Sequence, residues 1–210
     1  MIKVLIADDH TIFRAGLKRI LDETDGIGVV DEASDGMAVL AKLGQAQYDV
    51  ILLDISMPGQ GGVEVLKQIR NLWPKQAVLI LSMHPEEQYA LRVLRAGASG
   101  YLTKESSPAE LITAIRKVAN GGRYISSKLG EELALRLSRE FNIPRHEQLS
   151  DREYHVLLMI AAGKTIREIA RDLSLSEKTI STYRFRVLDK MSIKSNVELT
   201  HYAIQHGLLK

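Results

Sequence analysis

The run Val50-Ile51-Leu52-Leu53-Asp54 is apolar at four successive positions and then ends on an acid. A short segment that is apolar at every position is buried on both faces, as a strand is in a parallel sheet covered by helices. Working outward from it, comparable runs stand at Val4–Ala7, Gly28–Ala33, Ala77–Leu81 and Gly100–Leu102. Between and after these runs, apolar residues recur at helical spacing over Ile12–Glu23, Met37–Gln45, Gly62–Trp73, Glu86–Ala96 and Pro108–Asn120. Pro108 suits the first turn of the last of these helices, with Ser107 as its cap. Five strand–helix units in succession predict an α/β fold over residues 1–121, a doubly wound sheet of five parallel strands.

The strand signal stops at Gly121-Gly122. Ser127–Phe141 reads as an amphipathic helix, with Leu129, Leu133, Leu137 and Phe141 four apart, and Asn142–Gln148 reads as a polar linker containing Pro144. Four further helices follow, at Asp151–Ala162, Ile166–Leu173, Glu177–Met191 and Asn196–His206. The expected organisation is an α/β domain at 1–121, a helical linker at 122–148 and a small all-α domain at 149–210. A chain of about 60 residues is within the size that folds alone.

Composition narrows the function. With 45% apolar and 26% charged residues the chain has the balance of a folded globular protein. The absence of cysteine excludes disulfides, thiolate metal sites and Cys nucleophiles. No apolar run in the sequence approaches the roughly 20 residues needed for a membrane span. No membrane partner is therefore expected, and a cytoplasmic location is the default. Charge divides unevenly: residues 1–121 carry 13 basic and 15 acidic side chains, whereas 122–210 carry 15 and 11. An acidic first half and a basic second half suggest that the second faces a polyanion.

In an open parallel sheet, ligands bind beyond the carboxyl ends of the strands. Reading those ends in order gives Asp8-Asp9, Asp54, Ser82 and Thr103-Lys104. Clustered carboxylates repel one another and need a cation, and all-oxygen ligation favours Mg2+ or Mn2+. A carboxylate beside such an ion and a lysine can attack phosphorus. The ion and the ammonium neutralise the transferring group, and a serine hydroxyl can bind one of its oxygens. Asp54, at the middle strand, is the best acceptor. His10 and His84 lie near this edge but are expected to face solvent or gate the site rather than ligate.

These residues resemble the receiver domain of two-component response regulators, which is flavodoxin-like. The resemblance rests on Asp8-Asp9, on Asp54-Ile55-Ser56-Met57-Pro58-Gly59, on Ser82, on Ala96-Gly97-Ala98 leading into Tyr101, and on Lys104. It implies that a sensor histidine kinase phosphorylates Asp54. It also implies Mg2+ held by Asp9, Asp54 and the backbone carbonyl of Ser56, with Asp8 acting through water. Lys104 and Ser82 would bind the phosphoryl oxygens, and Tyr101 would change rotamer on activation. Receivers often carry Lys-Pro with a cis bond here. Glu105 follows Lys104 in this chain, and a cis non-proline bond costs about 3–4 kcal/mol, so the sequence gives no ground for one.

In the second half, Ile166–Leu173, the turn Ser174-Leu175-Ser176 and the longer Glu177–Met191 form a helix-turn-helix pattern. On the longer helix Ile180, Val187, Leu188 and Met191 are expected to face the core. Lys178, Thr179, Ser181, Thr182, Arg184, Phe185, Arg186, Lys190 and Lys194 are the candidates for contacting DNA, with Thr179 turned partly inward. Arginine reads guanine edges, hydroxyls bind bases or phosphates, and lysine contacts phosphate. Lys178–Lys194 holds five basic residues against one acid.

The residues here resemble the output domain of the LuxR class, in the NarL/FixJ family of regulators. Leu149-Ser150-Asp151-Arg152-Glu153 opens it, Ala161-Ala162-Gly163-Lys164 precedes Glu168-Ile169-Ala170, and Leu175-Ser176-Glu177-Lys178-Thr179-Ile180 enters the recognition helix. Ser181 stands where that class often has a DNA-contacting lysine. The resemblance implies dimerisation through Asn196–His206, with Val197, Ala203 and Ile204 as contact or core residues. Together the two resemblances imply a phosphorylation-controlled transcription regulator that binds double-stranded DNA as a homodimer. Two other readings compete. An aspartyl-nucleophile phosphohydrolase commonly has a second Asp two residues after the nucleophile, where Ser56 stands. A kinase-independent DNA-binding protein would not need the complete set Asp8, Asp9, Asp54, Ser82 and Lys104.

Overall fold

The computed structural model describes residues 1–57, 61–127, 129–131 and 144–209. The chain divides into two compact units, Met1–Glu132 and Leu133–Lys210. The helix expected over Ser127–Phe141 lies mostly outside the described residues, as do Pro58 and Gly59.

The first unit alternates strands and helices: β1 (Ile2–Ala7), α1 (Thr11–Asp22), β2 (Ile27–Ala33), α2 (Gly36–Leu43), β3 (Val50–Asp54), α3 (Gly62–Leu72), β4 (Ala77–Ser82), α4 (Glu86–Arg95), β5 (Gly100–Thr103) and α5 (Pro108–Ala119). All strand pairs are parallel, in the order β2-β1-β3-β4-β5. Successive strand side chains point to opposite faces. Val4, Ile6, Val50, Leu52, Leu79 and Leu81 accordingly pack with Leu17 and Leu21 of α1 and Leu111, Ala114, Ile115 and Val118 of α5 in one core cluster. Every residue of β3 is buried. β2, at the sheet edge, is only partly covered, and Val30 is 47% exposed. Continuous apolarity thus marks a central strand here, whereas the run of β2 is broken by Asp31 and Glu32 and lies at an edge. Ser107 caps α5 through a capping box with Glu110, which satisfies two backbone groups at the helix start.

The second unit opens with a 3-10 turn, Arg145–Gln148, and continues through α6 (Asp151–Ala161), α7 (Ile166–Asp172), α8 (Glu177–Met191) and α9 (Asn196–Gln205). α6 is the central element: Tyr154, Val156, Leu157, Met159 and Ile160 are all buried, and it packs against the other three helices. Ser150 and Thr165 close capping boxes at the starts of α6 and α7. Between α7 and α8, Ser174 takes a left-handed conformation at φ 54°, and the amide of Leu175 donates to the carbonyl of Ala170. That closure ends α7 and turns the chain into α8, whose cap is Ser176. The segment read from sequence as linker is built into this unit at its end. His146 is buried, and its Nδ1 lies 3.0 Å from the Tyr202 hydroxyl of α9.

Candidate functional site

Parallel register delivers the acidic residues to one edge. Ala7 pairs with Leu53, so the residues that follow, Asp8 and Asp54, leave adjacent strands side by side. Ser82 pairs with Thr103, and the amide of Lys104 donates to the Ser82 carbonyl at 2.8 Å. The Lys104 ammonium therefore lies 2.8 Å from Asp54 Oδ2 and 2.7 Å from Asp8 Oδ2, and all three side chains are almost wholly buried. Asp54 Oδ1 accepts from the Ser56 amide at 2.9 Å. Burial pushes the Asp54 pKa up, and Lys104 and the Ser56 amide only partly offset it. Burial works against the Lys104 ammonium, yet its hydrogen bond to Asp54 and the negative charges of Asp54 and Asp8 hold its pKa above the usual lysine value.

Ligand atoms of Asp8, Asp9, His10 and Asp54 all lie within 4.8 Å of one another. Asp8 Oδ2 is buried and faces Lys104, but no aligned hydrogen bond reaches it. A buried carboxylate oxygen left in that state, among three acids, suits a hard cation such as Mg2+. His10 is mostly exposed, with Nδ1 3.1 Å from Asp8 and 3.0 Å from Asp9. It sits beside the acids on their solvent side.

Two features of this edge were not singled out from sequence. The first is Gly62, the opening residue of α3. A Cβ there would lie 2.3 Å from the Asp54 carbonyl oxygen and 2.6 Å from the Ile55 Cα. Only glycine lets α3 start against the backbone that carries the acceptor. The second is the backbone of His84. Its amide donates to Ser82 Oγ at 3.0 Å, and its carbonyl accepts from the Tyr101 hydroxyl at 2.7 Å. One peptide segment thus holds both residues expected to switch. Tyr101 is already buried, at 1% exposure, and burial raises its pKa strongly. The rotamer expected to change on activation is therefore, in this state, already one that places the ring inside the protein. The Lys104–Glu105 bond is trans, like every described peptide bond.

Next to His84, the first turn of α4 meets the chain beyond α5. Ser126 Oγ donates to Glu86 at 2.5 Å and accepts from the Leu129 amide, and Leu129 is buried. Two residues after His10, Ile12 in the first turn of α1 is 90% exposed.

In the second unit, Ile180, Val187 and Met191 are buried, and Leu188 is half-buried. Lys178, Ser181, Thr182, Phe185, Arg186, Lys190 and Lys194 are exposed, while Thr179 and Arg184 are half-buried. Several of these side chains have work inside the protein. The Thr179 hydroxyl lies 2.8 Å from that of Ser176, and its amide takes the helix cap. Arg184 Nε donates to Asn196 Oδ1 at 2.8 Å. Lys190 Nζ lies 2.7 Å from Glu153, which is only 2% exposed and also receives the Ser150 amide. Sequence spacing gives no sign that Lys190 is the counter-ion of a buried acid 37 residues away. On α9, Ala203 is buried, whereas Val197 and Ile204 are 79% and 60% exposed.

Residues 4–116 match the response regulator receiver domain family, and residues 147–203 match the bacterial regulatory proteins of the luxR family. The chain is 42% identical to response regulator UvrY of Escherichia coli K12 over 99% of its length and 96% of the relative's. It is 40% identical to response regulator GacA of Pseudomonas syringae pv. syringae over 100% and 98%. Among solved structures, it resembles RcsB of Salmonella enterica serovar Typhimurium bound to promoter rprA with the phosphomimetic BeF3−. That likeness has TM-score 0.67 and 27% identity, and covers 96% of this chain and 97% of the other. The response regulator ChrA of a heme-sensing two-component system is similar at TM-score 0.54 and 32% identity, over 99% and 98%.

Proposed function

The chain belongs to the response regulators that join a receiver domain to a LuxR-type helix-turn-helix domain, and from that premise we propose that phosphoryl transfer to Asp54 controls DNA binding by the second unit. The observation that carries this reading is the buried triad of Asp8, Asp54 and Lys104 at the carboxyl edge of the sheet. A buried ion-paired network has no stability advantage over apolar packing, so its chemistry is the reason to keep it.

The donor is a phosphohistidine of a sensor kinase, which Ile12 can meet as an apolar contact at the rim of the site. Asp54 attacks the phosphorus in line, and the histidine nitrogen leaves. Asp8, Asp9, Asp54 and the Ser56 carbonyl would hold Mg2+, which when bound neutralises charge on the transferring group. Lys104 is already within reach of Asp54 and turns to a phosphoryl oxygen. Ser82 supplies a hydroxyl to another oxygen and in doing so pulls on the His84 amide. His84 also holds Tyr101 and adjoins Glu86, the partner of Ser126. A local charge change at Asp54 thereby reaches the chain leading out of the first unit.

The output is binding of double-stranded DNA in the cytoplasm by a homodimer, with α8 in the major groove. Lys178, Ser181, Thr182, Phe185, Arg186 and Lys194 form the outward face. Val197 and Ile204, two turns apart on α9, offer the second copy an apolar strip. We assign Lys190 and Arg184 first to internal bonds and only second to DNA. The reading implies no turnover of an external substrate beyond slow loss of the phosphoryl group to water. Intact-mass spectrometry after acetyl phosphate and Mg2+ tests the acceptor. Wild type should gain one phosphoryl group and Asp54→Asn none; equal labelling of both would refute the assignment.

A further inference from the structure

Phe185 stands midway along α8 with 69% of its surface exposed, although phenylalanine is ordinarily among the more buried residue types. The core side of the helix is filled by Ile180, Val187 and Met191, which leaves the ring on the far side. Its helical neighbours one turn back are Ser181 and Thr182, both exposed, with Lys178 and Arg186 flanking them. Helical side chains point back toward the N-terminus and cover the preceding turn. A ring at 185 therefore covers the turn of Ser181 and Thr182, in the half of a recognition helix that meets base edges.

That face has hydroxyls and cations that can bind phosphates or several base edges, and so discriminate weakly. Its single large apolar group is Phe185. The major groove in turn offers a single apolar feature, the thymine C5-methyl, and phenylalanine is one of the side chains that packs against it. Building on the DNA-binding reading above, we infer that Phe185 is a specificity-determining residue that reads thymine through its methyl group. Ser181 leaves room for this contact: its side chain is short, so the ring at the next turn can lean over it into the groove. Each half-site should then hold a thymine at the base pair facing Phe185. Removing that methyl should weaken binding while every hydrogen-bonding edge stays intact.

The probe is a duplex enriched from a randomised pool by the full chain treated with acetyl phosphate and Mg2+. Its thymines are replaced one at a time, in both half-sites, by deoxyuridine, which lacks only the methyl. Affinities are measured for wild type, Phe185→Ala and Phe185→Leu. Wild type should lose about three- to fivefold per half-site at one position, the value of burying one methyl group. Phe185→Ala should bind the thymine and uridine duplexes alike, and Phe185→Leu should keep part of the difference. If Phe185→Ala fails to fold, wild type and Phe185→Leu still decide the matter. Enrichment of a duplex to which wild type is indifferent at every uridine overturns the Phe185 assignment and leaves DNA binding standing. An equal uridine loss in wild type and Phe185→Ala also overturns it. Failure to enrich any duplex removes the DNA-binding reading itself, and the proposal with it.

Discussion

The Lys104 ammonium lies within 2.8 Å of both Asp8 and Asp54, almost out of water, whereas Lys178, Arg186 and Lys194 stand in solvent along α8 and just beyond it. Both regions are built from charge, but the surroundings give that charge different work. In a low-dielectric edge an ion pair is strong and poorly screened. Adding one phosphoryl group there forces every partner to rearrange, which suits a switch. On a solvated helix the same charges are screened and act collectively on a polyanion, with a strength that depends on salt. Lys190 belongs to neither class: it is 42% exposed, yet its ammonium serves the buried carboxylate of Glu153.

The sharpest way to break the acceptor site without touching a charge is Gly62→Ala. The new methyl would meet the Asp54 carbonyl at 2.3 Å, and backbone must move to admit it. Overpacking of this kind costs about 3 kcal/mol or slightly more. Urea unfolding of the first unit should show that loss, together with slowed acetyl-phosphate labelling of Asp54. A variant as stable and as reactive as wild type would mean that the start of α3 can shift without cost.

Lys190→Met probes the boundary between the two kinds of charge. It leaves Glu153 buried without its cation, and removing one partner of a buried pair costs about 3–5 kcal/mol. Because Lys190 keeps solvent contact, about 2 kcal/mol is expected for the second unit. Burial works against the ionised Glu153, but Lys190 and the Ser150 amide and hydroxyl together hold its pKa below the ordinary value of 4.5. The pair's contribution is therefore complete above that value and lost as pH falls through the lowered one. Denaturation curves for wild type and Lys190→Met should be well separated at pH 7 and converge in acid. A constant gap at all pH values would place the loss in the stem of Lys190 rather than in its charge.

Smallest in folding stability is the effect of an exposed cation. Arg186→Ala should weaken operator binding by about 1–3 kcal/mol if the guanidinium reads a base, and should leave folding stability unchanged. If Arg186 serves only a phosphate, the slope of affinity against salt should fall by about one. A loss of stability instead would move Arg186 into the same class as Lys190.

The contrast between the regions also explains what the sequence made legible. Asp8, Asp9, Asp54, Ser82 and Lys104 could be collected in advance because a parallel sheet sends every strand end to one edge, so counting strands locates the site. The faces of α8 could be separated because Ile180, Val187 and Met191 recur at helical spacing. What spacing cannot carry is a tertiary partner. Glu153 beneath Lys190 and Glu86 against Ser126 join elements far apart in the chain, and Asn196 beside Arg184 joins two successive helices across a turn. Gly62 shows nothing in its own composition that marks the 2.3 Å approach to Asp54. The state of Tyr101 was equally hidden, since periodicity says that the residue is near the site but not which way its ring has settled.

The central claim is that the buried edge governs the exposed face. Titration of the full chain onto its enriched duplex, with and without acetyl phosphate and Mg2+, tests it directly when wild type and Asp54→Asn are run together. A coupling of about 1–3 kcal/mol corresponds to a gain of about 5- to 150-fold in wild-type affinity. Asp54→Asn should show no gain. An affinity that is the same with and without phosphorylation in wild type, or that rises equally in Asp54→Asn, would contradict the account.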